Sequence, residues 1–184
     1  MQNRYWKHSR NVSNNVTEII NYEEKYMEIE RKYLINHETL PFSLQEFSCH
    51  KIEQAYLCTS PVVRIRREDD SYYLTYKGGG MMAREEYNLP LTEEAYDHLL
   101  TKIDGNIITK TRYIIPFDKN NINKPLTIEL DVFEGKFAGL YLAEIEFESV
   151  EDANEFLPPY WFGEDVTYDG AYHNSRMSML HCRR

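Results

Sequence analysis

The chain has 184 residues and a formal net charge of −9 at pH 7, from 21 Lys and Arg against 30 Asp and Glu. This length predicts a single domain that can bury its own hydrophobic core. The acidic balance argues against a general nucleic-acid-binding surface, and the lack of an apolar run of about 20 residues argues against a membrane protein.

Alternating sequence patterns predict a β-rich domain after a short tail. Residues 1–26 are polar and show no clear period, so we interpret them as an N-terminal tail and residues 27–184 as the domain. From residue 27 onward, apolar and polar residues alternate in short segments, which is typical of β-strands because successive side chains point to opposite faces. Eight strands are predicted, over residues 27–35, 51–58, 62–68, 72–77, 83–90, 107–116, 126–134 and 139–149.

Tight turns and a few helices are predicted between these strands. Short connections favour antiparallel neighbours, and the predicted turns cover residues 69–71, 78–80, 118–124 and 135–137. Helices are predicted over residues 42–47, 92–103 and 150–156 and from residue 171 onward. Eight antiparallel strands with few helices indicate an α+β fold, a closed or nearly closed β-barrel flanked by the helices.

The cysteines and the N-terminus predict a cytoplasmic protein. Cys49, Cys58 and Cys182 form no CxxC motif and are odd in number, which disfavours both a disulfide framework and a zinc knuckle. Residues 1–21 contain no apolar segment of the kind found in secretory signal peptides.

Charged residues alternate with apolar ones, and their sign is sorted by strand. Ordinary amphipathic strands with a charged face in water would explain any one of them. A solvated sheet face usually mixes signs, however, because cross-strand neighbours favour opposite charges. We therefore expect a water-filled barrel interior with a basic wall and an acidic wall, and apolar outer faces covered by the helices. The basic positions are Arg64, Arg66, Lys110 and Arg112, and the acidic ones are Glu129, Asp131, Glu144, Glu146 and Glu148.

An interior of this kind is suited to a polyanion and a divalent cation side by side. Arg guanidinium groups match phosphate oxygens in a bidentate manner. Clustered carboxylates without His or Cys are hard oxygen ligands, which favour Mg²⁺ or Mn²⁺ over zinc. The pattern therefore predicts a metal-bound polyphosphate and phosphoryl-transfer chemistry, which depends mainly on positioning and charge neutralisation.

The first predicted strand, Glu28-Ile29-Glu30-Arg31-Lys32, resembles the Glu-x-Glu-x-Lys signature of the CYTH superfamily, the triphosphate tunnel metalloenzymes. Seven further segments follow the superfamily pattern in order, and the ending at residues 158–174 is similar to the small bacterial tripolyphosphatase-like branch. The resemblance covers residues 27–180 and implies an eight-stranded tunnel. The later segments are 52–57, 63–66, 74–78, 84–87, 110–113, 128–133 and 142–147.

The resemblance also implies roles for individual residues. Lys32 and Tyr56 would activate the attacking water, which requires a lowered Lys pKa that neighbouring Arg would favour and neighbouring Glu would oppose. The phosphate ligands would be Arg64, Arg66, Lys77, Lys110 and Arg112. The metal, Mg²⁺ or Mn²⁺, would be held directly or through water by Glu28, Glu30, Glu129, Asp131, Glu144 and Glu146.

The fifth strand departs from the superfamily pattern. Glu86 is followed two residues later by Asn88 instead of a second acid, so its part in metal binding stays open. Arg84 shares a face with Glu86, and we expect it either to reach phosphate or to pair with Glu86.

Three functions remain open from the sequence. The first is divalent-metal-dependent hydrolysis of inorganic tripolyphosphate or a related triphosphate such as ATP. The second is adenylate cyclase or thiamine triphosphatase activity at the same site, which would need a pocket for an organic group. The third is a non-catalytic polyphosphate- or triphosphate-binding module, against which the presence of Lys32 and the full carboxylate set argues. We expect neither a nucleic-acid nor a membrane partner.

Overall fold

A computed structural model describes residues 27–117 and 125–180, so the predicted tail 1–26 and turn 118–124 lie outside the described residues. Within the described ranges, no helix is both long enough and apolar enough to cross a membrane. The described residues form three α-helices, which are α1 (Glu93–Leu100), α2 (Val150–Glu155) and α3 (Asn174–Ser178). The same part of the chain contains nine β-strands, which are β1 (Met27–Ile35), β2 (Cys49–Thr59), β3 (Val62–Glu68), β4 (Ser71–Lys77), β5 (Ala83–Pro90), β6 (Asp104–Phe117), β7 (Leu126–Phe133), β8 (Tyr141–Glu146) and β9 (Phe162–Asp165).

Eight of these strands close into an antiparallel barrel in the order β5-β4-β3-β2-β6-β7-β8-β1. The start of β1 pairs with β5, where Glu28 lies opposite Arg84, and this pairing closes the barrel. The opposite edge of β1 pairs with β8. The closed eight-stranded barrel confirms the predicted fold class, and β9 is an additional strand that pairs with the end of β1.

Most predicted strands are present, and the differences have local causes. β1, β3 and β5 have the predicted ends, whereas β8 is shorter than predicted. Gly139 has a positive φ of 94°, which turns the chain before β8. After β8, the Ser149 side chain accepts a hydrogen bond from the Asp152 N–H and begins α2. The predicted helix over 42–47 is a 3₁₀ helix at Leu44–Glu46.

The outer faces of the barrel are apolar and are covered by the helices, as the alternation predicts. Ile29, Tyr33 and Ile145 on the outside of β1 and β8 pack against Phe156 and Trp161, at and beyond the end of α2. On the opposite side, Tyr96 of α1 packs against Ala55 and Ile65 of β2 and β3. Both clusters lie outside the barrel, which leaves its interior free for charged groups.

One end of the barrel interior is apolar. Ile108, Phe133 and Leu142 point inward from β6, β7 and β8 and pack against Val166 and Met177. Each of these strands then turns polar on the same face, as in the inward series Ile108, Lys110 and Arg112. The apolar end therefore forms a floor beneath a charged layer.

Candidate active site

The inner faces of the barrel strands surround one polar cavity, which holds about 590 Å³ of space including its open mouth. It collects all the site residues predicted from the sequence except Lys110 and Asp131. The predicted residues that line it are Glu28, Glu30, Lys32, Tyr56, Arg64, Arg66, Lys77, Arg112, Glu129, Glu144 and Glu146.

The strand order separates the two signs of charge. β4, β3, β2 and β6 are consecutive and carry four of the six Lys and Arg residues that line the cavity, whereas β7, β8 and β1 are consecutive and carry most of the carboxylates. This gives the two opposed walls expected from the sequence. The basic wall consists of Arg64, Arg66, Lys77 and Arg112, and the acidic wall consists of Glu28, Glu30, Glu129, Glu144 and Glu146.

At the first seam between the walls, Arg112 is the central cation. It lies opposite Asp131 in the β6–β7 ladder, and its Nε donates to Asp131 Oδ1 at 2.7 Å. Its Nη2 donates to Glu144 Oε2 at 2.5 Å, and its Nη1 donates to Glu129. Burial opposes the charge on Arg112, but these carboxylates outweigh burial and raise its pKa. Arg112 therefore stays cationic.

At the second seam, Lys77 and Arg84 bind the carboxylates of β1 and β5. Lys77 Nζ lies 2.6 Å from both carboxylate oxygens of Glu28 and 2.6 Å from Glu86 Oε2. Burial opposes the charge on Glu86, but Lys77 lowers the pKa of Glu86 to about 2. Arg84 binds Glu28 and Glu30 instead of Glu86, at 2.9 Å each. Of the two partners expected from the sequence for Arg84, Glu86 is therefore wrong, because Arg84 pairs with Glu28 and Glu30.

Lys32 lies between two carboxylates on the acidic side. Its Nζ donates to Glu144 and lies 3.1 Å from Glu30 Oε1. Burial opposes the ammonium charge, but Glu144 and Glu30 outweigh it and raise the pKa of Lys32. The lowered pKa that a lysine base requires is therefore absent in this structure, because the effect of the neighbouring carboxylates exceeds that of burial.

Tyr56 lies in the same cavity, on β2 opposite Arg64. Its hydroxyl oxygen accepts a hydrogen bond from Gln54 Nε2 at 3.2 Å. Burial raises the pKa of Tyr56, although Arg64 and Arg66 oppose the rise. Tyr56 is therefore a neutral phenol that can donate its proton in a hydrogen bond.

Lys110 and Asp131 lie below the cavity and do not line it. They form an ion pair in which both side chains have no exposed area. Burial and the nearby Arg112 lower the pKa of Lys110 to about 8. The pair lies between Arg112 and the apolar floor, so the phosphate-binding and metal-binding roles assigned to it stay predictions.

The acidic wall suits a divalent cation in chemistry and in charge. Its donors are carboxylate oxygens, which are the ligands that Mg²⁺ and Mn²⁺ prefer. Partial burial together with Glu129, Glu28 and Glu30 raises the pKa of Glu146 to about 7, which marks surplus negative charge at this position. Within residues 27–117 and 125–180, no three acidic, His or Cys side chains already stand at metal-holding spacing. The carboxylates are instead drawn to the basic side chains described above.

Three cavity residues that lie outside the barrel strands are not predicted from the sequence. His173, Asn174 and Ser175, at the start of α3, line the same cavity. Val166 N–H donates to the Lys32 carbonyl at 2.9 Å, which holds the chain leading to α3 against β1. His173 Nε2 and Asn174 Oδ1 are buried and have no hydrogen-bond partner among the described residues. Only the docking of α3 over the barrel brings them to the site, and no sequence spacing signals that docking.

Comparisons with known proteins agree with this geometry. A family model described as CYTH domain matches residues 27–159. The chain is 35% identical over 155 residues to an inorganic triphosphatase of Nitrosomonas europaea, covering 83% of this chain and 97% of the relative. It is 33% identical over 156 residues to an inorganic triphosphatase of Acetivibrio thermocellus, covering 82% of this chain and 92% of the relative. A crystal structure of an inorganic triphosphatase superposes with a TM-score of 0.58 at 32% identity, over 83% of this chain and 94% of that one.

Proposed function

The chain belongs to the CYTH domain family, and we propose that it hydrolyses inorganic triphosphate to pyrophosphate and orthophosphate with the help of a divalent cation. The relatives named inorganic triphosphatase, which match most of the chain, support this substrate. The observation that carries the proposal is the cavity in which a basic wall faces an acidic wall. Such a site neutralises a polyanion and a cation together.

The basic wall would bind the triphosphate. Arg64 and Arg66 point into the cavity from β3, and the Nε atom of each is buried without a hydrogen-bond partner among the described residues. Burial and the nearby Arg64 and Arg112 lower the pKa of Arg66 to about 10, which reflects crowding of positive charge. A phosphate group relieves this crowding and supplies acceptors for the free donors.

The acidic wall would hold Mg²⁺ or Mn²⁺. When bound, such an ion neutralises charge on the phosphate oxygens as the transition state forms. The residues proposed as its direct or water-mediated ligands are Glu28, Glu30, Glu129, Asp131, Glu144 and Glu146, of which Asp131 lies below the cavity.

Lys32 and Tyr56 would position the attacking water. The water oxygen forms a bond to the terminal phosphorus while the bond from that phosphorus to the bridging oxygen breaks, so pyrophosphate leaves, orthophosphate forms and the proton that the water releases passes to the solvent. The Lys32 ammonium and the Tyr56 hydroxyl are the groups that can orient this water by hydrogen bonds. Their location in the cavity supports this positioning role, which replaces the activation of the water by a Lys of lowered pKa that the sequence predicts.

The cavity lining favours an inorganic triphosphate over a nucleotide or thiamine triphosphate. Among its described lining residues, Val62 is the only aliphatic side chain, and the rest are charged, polar or aromatic. An organic group would need apolar surface to bury.

Cys49 and Cys58 are free thiols, which supports the cytoplasmic location that we propose for the protein.

Phosphate release from tripolyphosphate, ATP and thiamine triphosphate tests the proposal, each with Mg²⁺, Mn²⁺ or EDTA. We expect equal amounts of orthophosphate and pyrophosphate from tripolyphosphate with either cation and none with EDTA. Cyclic AMP formed from ATP would instead identify a cyclase. Tight triphosphate binding without release from any of the three substrates would identify a binding module.

A further inference from the structure

Arg84 lies at the seam where β1 and β5 close the barrel, directly opposite Glu28. Its Nε donates to Glu28 Oε2 at 2.9 Å and its Nη2 donates to Glu30 Oε1 at 2.9 Å, so one guanidinium bridges two carboxylates of the acidic wall. The side chain lines the cavity and is only 11% exposed. Arg84 therefore occupies oxygens that we propose as cation ligands.

Another cation can compete for this contact. The Arg84 guanidinium is always charged, and it is held to Glu28 and Glu30 by hydrogen bonds to carboxylate oxygens that a divalent cation also prefers. Both carboxylates also keep another partner, because Lys77 binds Glu28 and Lys32 lies near Glu30. The acidic wall thus remains partly neutralised if Arg84 moves away.

We propose that Arg84 alternates between the acidic wall and the substrate: it leaves Glu28 and Glu30 when they take up a divalent cation, and it then binds a phosphate of the triphosphate. This inference rests on the proposed function for the identity of the two ligands. A divalent cation competes for the same carboxylate oxygens, and the released guanidinium is a planar fork that matches phosphate oxygens. The Arg84 backbone remains fixed in β5, so only its side chain needs to move within the cavity.

The exchange couples the two ligands. A cation that binds alone must displace Arg84 from the carboxylates, and this displacement lowers the affinity for the cation. Triphosphate binding, in contrast, stabilises the displaced Arg84 side chain. Each ligand therefore increases the affinity for the other by the same factor. Without Arg84, the cation should bind more tightly by itself and the triphosphate more weakly.

Calorimetric titration of the full-length protein with Mn²⁺ alone, without phosphate, tests the prediction that Arg84 weakens cation binding. We expect Arg84→Gln to lower the Kd for Mn²⁺ by about threefold to tenfold, because a competing cation is removed. Arg67→Gln is the charge-matched control, since Arg67 is exposed and lies outside the barrel two strands away. Arg84→Lys keeps the charge but cannot bridge both carboxylates, so its Kd should lie between those of the wild type and Arg84→Gln.

Titration with an imido-bridged triphosphate, first in EDTA and then at saturating Mn²⁺, tests the prediction that the cation strengthens triphosphate binding. In the wild type, Mn²⁺ should increase the affinity for the analogue, and Arg84→Gln should lose most of this gain. An Mn²⁺ Kd in folded Arg84→Gln that equals or exceeds that of the wild type overturns the proposal. If Arg84→Gln does not fold, an Mn²⁺ Kd in Arg84→Lys equal to that of the wild type overturns it. Tighter Mn²⁺ binding together with no phosphate release by the wild type would instead refute only the proposed hydrolase function.

Discussion

Glu30 on β1 and Glu146 on β8 lie directly opposite each other in the antiparallel ladder, and both line the cavity. Like charges in this position destabilise a sheet. Glu30 is neutralised by Arg84 and Lys32, whereas Glu146 forms no ion pair within residues 27–117 and 125–180. The fold therefore keeps an unfavourable carboxylate at the cavity mouth, which suggests that a bound cation is its natural partner.

Glu146→Gln should stabilise the cation-free protein. We expect a gain of about 0.5 kcal/mol in the free energy of unfolding in EDTA, because one of two opposed charges is removed. The same variant should lose most of the thermal stabilisation that Mn²⁺ gives the wild type. Thermal unfolding with and without Mn²⁺ measures both effects, and Glu155→Gln on the exposed side of α2 is the charge-matched control.

The Glu146 carboxylate should make the free energy of unfolding of the metal-free protein depend on pH. Its pKa of about 7 in the folded protein exceeds the ordinary value of 4.5, so the folded protein binds a proton more tightly than the unfolded chain. Its contribution to stability therefore falls as pH rises from about 4.5 to about 7. Denaturant unfolding in EDTA should show a decline over this range in the wild type that is reduced in Glu146→Gln. An identical pH profile for both proteins would contradict the raised pKa.

The sequence predicts the barrel well because its alternation is strict, but it does not predict which charges meet. The ends of β1, β3 and β5 follow directly from the period-two pattern. Arg84 and Glu86 share a face of β5, yet register places Arg84 opposite Glu28 and Glu86 opposite Lys77. Register depends on the closure of the whole barrel, which one strand does not encode.

The sequence also does not predict how deep each side chain lies in the barrel, or the presence of β9. Lys110 follows the same alternation as Arg112. Lys110 is the next inward-facing residue towards the apolar floor, however, and therefore does not line the cavity.

β9 has only four residues, Phe162–Asp165, and no alternating pattern. A Cβ at Gly163 would lie 2.7 Å from the Leu34 carbonyl oxygen, so β9 reaches β1 only because this residue is glycine.

Lys32→Gln should damage both stability and turnover. The substitution leaves Glu144 and Glu30 with one fewer cation in a buried site, which should cost about 3 kcal/mol in the free energy of unfolding. We expect kcat for tripolyphosphate to fall by about 100-fold, because a water that is no longer held in line with the phosphorus reacts far more slowly. Denaturant unfolding and steady-state kinetics measure the two effects.

Lys32→Arg separates the structural part of that loss from the chemical part. Arginine keeps the positive charge beside Glu144, so most of the stability should return. The rate should stay low, because the guanidinium is larger and does not place a donor where the ammonium lies. A variant with wild-type kcat would mean that Lys32 contributes charge alone and does not position the water.

Arg66→Gln and Arg67→Gln should differ sharply, although the residues are neighbours on β3. Arg66 points into the cavity, whereas Arg67 is exposed and its Nε donates to the Asp69 carbonyl at 3.0 Å. We expect Arg66→Gln to raise KM for tripolyphosphate about tenfold or more, as loss of a charged hydrogen bond costs about 1.5–3 kcal/mol. Arg67→Gln should leave KM unchanged. Equal KM values for the two variants would remove Arg66 from the phosphate-binding set.

Asn174→Ala should weaken substrate binding without weakening the fold. Asn174 Oδ1 is buried, and a buried polar atom without a partner costs about 1–3 kcal/mol, so its removal should leave the melting temperature equal or higher. Asn174 lines the charged cavity, where its amide N–H can donate to a phosphate oxygen and its Oδ1 can accept from the water around the phosphate. We expect a severalfold increase in KM for tripolyphosphate with little change in kcat. Asn154→Ala, the same substitution at an exposed position of α2, is the matched control and should leave KM unchanged. A lower melting temperature for Asn174→Ala with an unchanged KM would show that this side chain supports the docking of α3 and does not contact substrate.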